Sequence, residues 1–150
     1  MNRKRGFEIV SEWKERDIHI PSRKTAGSAG YDIESAADAD VEPGKIHIVP
    51  TGLKAYMEND EYLAIHIRSG IGIKHGIMLA NNTGIIDSDY YNNEDNEGHI
   101  MCALYNSACT FSACLIIISS KVLNKYTLGN AISPADMKNF ICGIIKSTGI

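Results

Sequence analysis

The sequence predicts an all-β protein, a sandwich or barrel of short strands over residues 7–106, followed by a C-terminal segment that holds a candidate helix. Two observations carry the β prediction. Runs of four to seven residues alternate apolar with polar or are β-branched. Turn signals punctuate them at roughly 8–12-residue spacing. A third observation bounds the size: 150 residues, 44% hydrophobic and 22% charged, suit one soluble globular domain with a real core.

The strands are expected in this order. Phe7-Glu8-Ile9-Val10 and Ile18-His19-Ile20 come first, then Ile46-His47-Ile48-Val49, ended by Pro50. Leu53-Lys54-Ala55-Tyr56-Met57 and Tyr62-Leu63-Ala64-Ile65-His66-Ile67 alternate as half-buried strands do. Gly27-Ser28-Ala29-Gly30, Glu42-Pro43-Gly44 and Glu58-Asn59-Asp60 are loop signals. Ile85-Ile86 reads as a short strand entered from the turn residues Asn81-Asn82-Thr83-Gly84. Residues 92–97 are polar and acidic and read as an exposed hairpin loop, with His99-Ile100-Met101-Cys102-Ala103-Leu104-Tyr105 as the return strand. Leu115 to Ile118 reads as a buried strand. Ser133-Pro134-Ala135-Asp136 is a helix start, with Met137, Phe140, Ile141 and Ile144 on one face.

Composition excludes several classes. The net charge of −3 gives no pull toward nucleic acid or anionic membrane. The longest apolar run near the C-terminus, Cys114-Leu115-Ile116-Ile117-Ile118, falls far short of the ~20 residues that span a bilayer. Met1-Asn2-Arg3-Lys4-Arg5 is basic, but no apolar run follows as in a signal peptide, so a cytoplasmic protein is expected. The halves differ. Residues 1–98 hold 11 of the 15 Lys and Arg and 17 of the 18 Asp and Glu, a balance of −6. Residues 99–150 hold four Lys against Asp136, a balance of +3, and all four cysteines. The cysteine spacing matches no zinc signature, so buried free thiols are expected. The five histidines are scattered singly and read as surface or satisfied-core residues.

Chemistry concentrates at Ile85-Ile86-Asp87-Ser88-Asp89-Tyr90. If the strand continues, Asp87 and Asp89 share a face. Such a pair serves metal or acid–base chemistry, or faces water. Upstream lie Ile67-Arg68-Ser69-Gly70, followed by Lys74-His75-Gly76, and a long segment from Pro21-Ser22-Arg23-Lys24 through Gly30-Tyr31-Asp32-Ile33. These three segments resemble, in order, the third, second and first motifs of the trimeric dUTP pyrophosphatase (dUTPase) family, over residues 7–106. The chain thus divides into a β domain, residues 1–106, and a divergent C-terminal segment of the same domain, residues 107–150.

The resemblance implies a jelly-roll-like β fold, a homotrimer, Mg²⁺ as cofactor and hydrolysis of dUTP to dUMP and pyrophosphate. It implies Asp87 as the base that activates water; the other reading of Asp87 is a turn cap. It implies Arg68, Ser69 and Gly70 as triphosphate contacts, Arg being a fixed fork of donors; otherwise Arg-Ser-Gly is a strand-to-turn junction. Asp32 would meet Mg²⁺ through water only, or else cap the preceding loop. Asn81 and the backbone of Gly84, Ile85 and Ile86 would read uracil. Tyr90 would stack under the deoxyribose and exclude a 2′-hydroxyl, or else be a core Tyr. Met101 would line the same pocket. The family's fourth and fifth motifs need Arg and Gln late in the chain. Here Arg68 is the last arginine and glutamine is absent. A catalytically impaired nucleotide-binding or regulatory homologue stays open for that reason. A dCTP deaminase-like enzyme is the third reading; that branch needs a Glu on the return strand, and residues 98–106 have none.

Overall fold

The structure, a computed structural model, describes residues 4–107 together with the strand backbones of Ile116–Ile118 and Ile141–Ser147. Eleven strands form four hydrogen-bonded groups among these residues. β1 (Gly6–Ile9) pairs with β5 (Leu53–Tyr56). β3 (Ala39–Val41) pairs with β10 (Ile116–Ile118). β2 (Tyr31–Ile33), β11 (Ile141–Ser147), β6 (Glu61–Ile67) and β8 (Gly84–Asp87) lie side by side in that order. β4 (Ile46–Pro50), β9 (Met101–Asn106) and β7 (Ile77–Leu79) form the last group. Every strand pair is antiparallel. One short helix, α1 (Ser69–His75), follows β6 and stops at Gly76, which adopts the left-handed conformation (φ 67°) that favours glycine. The all-β expectation holds. No described helix is long and apolar enough to cross a membrane.

The core comes from the inward residues of these strands. Ile33, Val41, Val49, Leu63, Ile77 and Leu104 are fully buried. Each such side chain contributes about 1.5–3 kcal/mol relative to exposure. Cys102 lies among them, and burial pushes its thiol pKa up to about 12. It is an inert packing group, as the spacing of the cysteines suggested.

Several local expectations change. Ile18-His19-Ile20 is no strand; residues 17–20 run irregularly, and His19 instead bonds Glu34 at 3.0 Å. The turn at Asn81–Gly84 enters β8 as expected and also joins two sheets. β7 pairs with β9 and β8 pairs with β6, so the turn carries the chain from one sheet to another, helped by positive φ at Asn82. β9 is no return strand for β8. The C-terminal helix start at residues 133–136 lies outside the described residues, as do Met137 and Phe140. Ile141 and Ile144 belong to β11, where pairing with β6 and β2 overrides the helical spacing of the sequence.

β5 does not alternate: Leu53, Lys54 and Ala55 are all buried. The 92–97 segment is the reason. It folds back as a compact, partly buried loop whose residues accept from Lys54 Nζ: Asn92 Oδ1 at 2.6 Å and Glu97 Oε2 at 3.1 Å. Glu97 also accepts from Ser11 N and Oγ, and the Lys54 ammonium holds its carboxyl below the usual range. Tyr91 Oη donates to Glu8 at 2.6 Å, which raises its pKa. The loop therefore straps β1 to β5.

His99, next to this loop, is a satisfied core histidine. Its Nε2 accepts the Gly52 N–H at 3.0 Å and its ring lies 5.6 Å from Trp13, centroid to centroid. Accepting there requires the neutral tautomer with its proton on Nδ1. Burial lowers its pKa below 6.5. Below about pH 6.5 the unfolded chain therefore takes up a proton that the folded chain resists. Stability is full above that pH, falls as pH drops, and levels off below the folded pKa. Between about pH 7.5 and about pH 5.5, thermal midpoints should fall more steeply for the wild type than for His99→Gln, whose amide oxygen can accept the same N–H at either pH. Parallel curves would show that His99 does not titrate in this way.

Candidate active site

The residues singled out from the sequence gather in two places. The first is at the free edge of the four-stranded sheet. β8 pairs only with β6 among the described strands, in the register Tyr62↔Asp87, Leu63↔Ile86, Ala64↔Ile85 and Ile65↔Gly84. Half of its peptide groups therefore point away from β6. Gly84 is needed close in: a Cβ there would stand 3.2 Å from Ile65 Cβ. β8 ends at Asp87, and a 3₁₀ turn, Ser88–Tyr90, follows. The strand thus stops before Asp89, and strand alternation does not govern the pair. Both carboxylates are exposed and still line one open groove of about 720 Å³ with Asn59, Tyr62, Ile85 and Ser88. Asp87 occupies the cap position of the turn but makes no side-chain capping bond.

Tyr90 closes that turn. It is half-buried rather than a core residue. Its hydroxyl accepts from Asn96 Nδ2 at 2.8 Å and donates to the His99 carbonyl at 3.4 Å. The backbone around it is tight. Gly98 has φ 78°, and a Cβ there would come within 2.5 Å of the Tyr90 carbonyl oxygen.

The second place is at the far end of β6. Asp32, on β2, lies 3.9 Å from Arg68 Nε and 3.7 Å from Lys24 Nζ. The first and second motif segments thus meet in one charge cluster. Arg68 precedes α1 in extended conformation, and its carbonyl accepts from Ile71 N and Gly72 N. Ser69 opens the helix, and a Cβ on Gly70 would meet nothing within 4 Å. Arg68 and Ser69 line a groove of about 280 Å³ with Asn82.

Asn81 is exposed at the corner, outside both grooves; its neighbour Asn82 is the one beside Arg68. Met101 starts β9, in another sheet from β8, and is exposed. Lys24, Asn59, Tyr62 and Asn82 are additions. Lys24 sits within the first motif segment, so its position was visible; the other three are brought in by strand register and the corner, which no local pattern reports.

The two grooves share no lining residue. Asp87 stands opposite Tyr62, and Arg68 lies six residues further along β6, about 20 Å at strand rise. Within one copy, the exposed carboxylate and the cationic cluster thus stand near opposite ends of β6.

The architecture is that of the jelly-roll-like β proteins, and the comparisons say which kind. The chain belongs to the dUTPase family: residues 16–113 match the family model described as dUTPase. It is 51% identical over 102 residues to the deoxyuridine 5′-triphosphate nucleotidohydrolase of Lactococcus lactis subsp. lactis (strain IL1403), covering 68% of each chain. The protein of the same name from Janthinobacterium sp. (strain Marseille) is 43% identical over 94 residues; the match covers 61% of this chain and 59% of that one. Among solved structures, the dUTPase from Streptococcus mutans superposes with a TM-score of 0.77 at 32% identity, covering 97% of both chains. The dUTPase from phage phi11 of S. aureus, at 17% identity and TM-score 0.69, shares the fold.

The packing around Tyr90 makes a direct prediction. Gly98→Ala places a methyl group against the Tyr90 carbonyl at a positive φ, and should cost about 2–4 kcal/mol in urea unfolding. Gly27→Ala, with nothing within 4 Å of the new Cβ, should change stability by less than about 0.5 kcal/mol. Equal effects would show that the loop is not closed against Tyr90.

Proposed function

We propose that this chain hydrolyses dUTP to dUMP and pyrophosphate, with Asp87 orienting and deprotonating the water that attacks the α-phosphorus. One observation carries this reading: an exposed carboxylate with no capping role ends an edge strand and faces an open groove, in a family whose named relatives act on dUTP. A carboxylate open to water can accept a proton from it in the transition state.

The edge strand supports the rest. The outward peptide groups of Gly84, Ile85 and Ile86 would pair with the uracil edge, with the Asn81 amide beside them. A cytosine there would leave donors and acceptors unmatched. Tyr90 would lie under the deoxyribose. Arg68, Ser69 and the Gly70 backbone would hold phosphate oxygens. For Mg²⁺, the donor chemistry suits an outer role: Asp32 is one carboxylate flanked by two cations, which fits contact through water and leaves direct coordination to the triphosphate. The ion would neutralise charge on the phosphates. A cytoplasmic setting goes with such a substrate.

The separation along β6 means that a complete site draws Asp87 from one copy and Arg68 from another. A homotrimer would supply this. An apolar sheet face suits such assembly: Ile46, Ile48, Met78 and Met101 are 61%, 59%, 45% and 50% exposed, and cross-strand pairing puts Ala103 and Tyr105 among them. The impaired-homologue reading is favoured by one fact, the lack of any arginine after Arg68 or any glutamine. On that reading nucleotide binds and turnover is slow.

Pyrophosphate release with Mg²⁺ should appear with dUTP and not with dCTP or dTTP. Asp87→Asn should lower kcat at least about 100-fold while dUTP affinity changes by less than about threefold. A variant that keeps more than about a tenth of the wild-type kcat would remove Asp87 from the role of base.

A further inference from the structure

Asn96 is bonded on every side. Its Oδ1 accepts from Asn93 Nδ2 and from Gly98 N, both at 3.0 Å. Its backbone N–H donates to Asn93 Oδ1 at 3.0 Å and its carbonyl accepts from His99 N at 3.0 Å. With two donors facing Oδ1, the amide has one workable orientation, because the flipped form would set donors against donors. That orientation aims Nδ2 at the Tyr90 hydroxyl, 2.8 Å away. Asn93 holds the other end of the same residue, donating to the Tyr90 carbonyl at 2.9 Å. The hydroxyl's own proton is directed to the His99 carbonyl. The Tyr90 ring is therefore fixed at its backbone and at its far tip by one small network.

We propose that Asn96 is a positioning residue for sugar recognition: by locking the Tyr90 ring, it sets the preference for deoxyribose over ribose. This rests on the reading of Tyr90 given above. A flat ring excludes a 2′-hydroxyl only if it cannot retreat. A ring tied at both ends cannot swing aside, whereas a ring tied only through its Cβ can rotate and leave room. The 92–97 segment thus has a role beyond strapping β1 to β5. It carries the residue that makes the sugar pocket rigid.

The test measures affinities of dUMP and UMP for the full chain by calorimetry, so that no turnover is needed. Asn96→Ala should lower the preference for dUMP about five- to tenfold, the size of one well-made hydrogen bond. The loss should come mainly through tighter UMP binding. Tyr90→Phe should give a similar loss, and the double variant little more, because both remove the same bond. Asn96→Asp keeps an acceptor for Gly98 N and can take the Tyr90 proton, and should retain the preference within about twofold. If Tyr90→Ala collapses the preference while Asn96→Ala leaves it intact, the positioning role of Asn96 is overturned and the reading of Tyr90 stands. If Tyr90→Ala leaves the preference unchanged, both fall together. A loss that is equal for dUMP and UMP in Asn96→Ala would mark general loosening and also overturn the proposal.

Discussion

Strand β6 sets the position of everything chemical in this chain. It is paired on both sides, with β11 along its whole length and with β8 over its first half. Leu63 and Ile65 lie inside the core at 0% and 2% exposure. A slip of one residue would turn these side chains to solvent and flip those of β8 as well. Burial therefore fixes the register, and the register fixes Asp87 opposite Tyr62. The same strand delivers Arg68 at its other end, where Asp32 on β2 comes within reach. The core thus dictates both the lining of each candidate groove and the gap between them.

A second constraint is the buried cation of β5. Lys54 is inside because Glu97 and Asn92 come to meet it, and breaking that arrangement would leave a charge uncompensated in poor solvent. The loop that carries those partners also carries Asn93, Asn96 and Gly98, which close around Tyr90. Packing of the N-terminal strand and placement of a candidate sugar-binding ring are in this way parts of one structure. A change at either end is felt at the other.

Much of the fold was legible because strand alternation and β-branching report half-burial directly. Seven of the eight β-strand stretches expected from the sequence lie within a residue or two of described strands over residues 6–106 or include β10. The Ile18-His19-Ile20 run misled because its apolar residues flank a histidine used in a local hydrogen bond with Glu34. Short β2, β3 and β7 gave no periodic signal over three residues. The corner at Asn82 was visible as a turn but not as a change of sheet, since turn chemistry does not say which neighbour the next strand takes. The loop at residues 92–97 looked solvent-exposed because it is polar; Glu94 and Asp95 are exposed, but the side chains of Asn92, Asn93, Asn96 and Glu97 bond one another, Lys54, Ser11 and Tyr90. In the C-terminal segment, β-pairing won over a helical pattern at Ile141 and Ile144, a long-range effect that local sequence cannot report. For the candidate site, the motif order named the candidate residues, while only the register showed that Asp87 and Arg68 stand near opposite ends of β6, about 20 Å apart at strand rise.

That separation is the central claim, and subunit mixing tests it most directly. Asp87→Asn and Arg68→Ala chains, each inactive alone, are unfolded together and refolded so that mixed assemblies form. If one copy supplies Asp87 and a neighbour supplies Arg68, random mixing leaves about a quarter of the sites with both residues intact, and about a quarter of the wild-type rate should return. If mixed assemblies form and the rate stays at the level of the separate variants, both residues act from the same copy, and the account of a site divided along β6 is wrong.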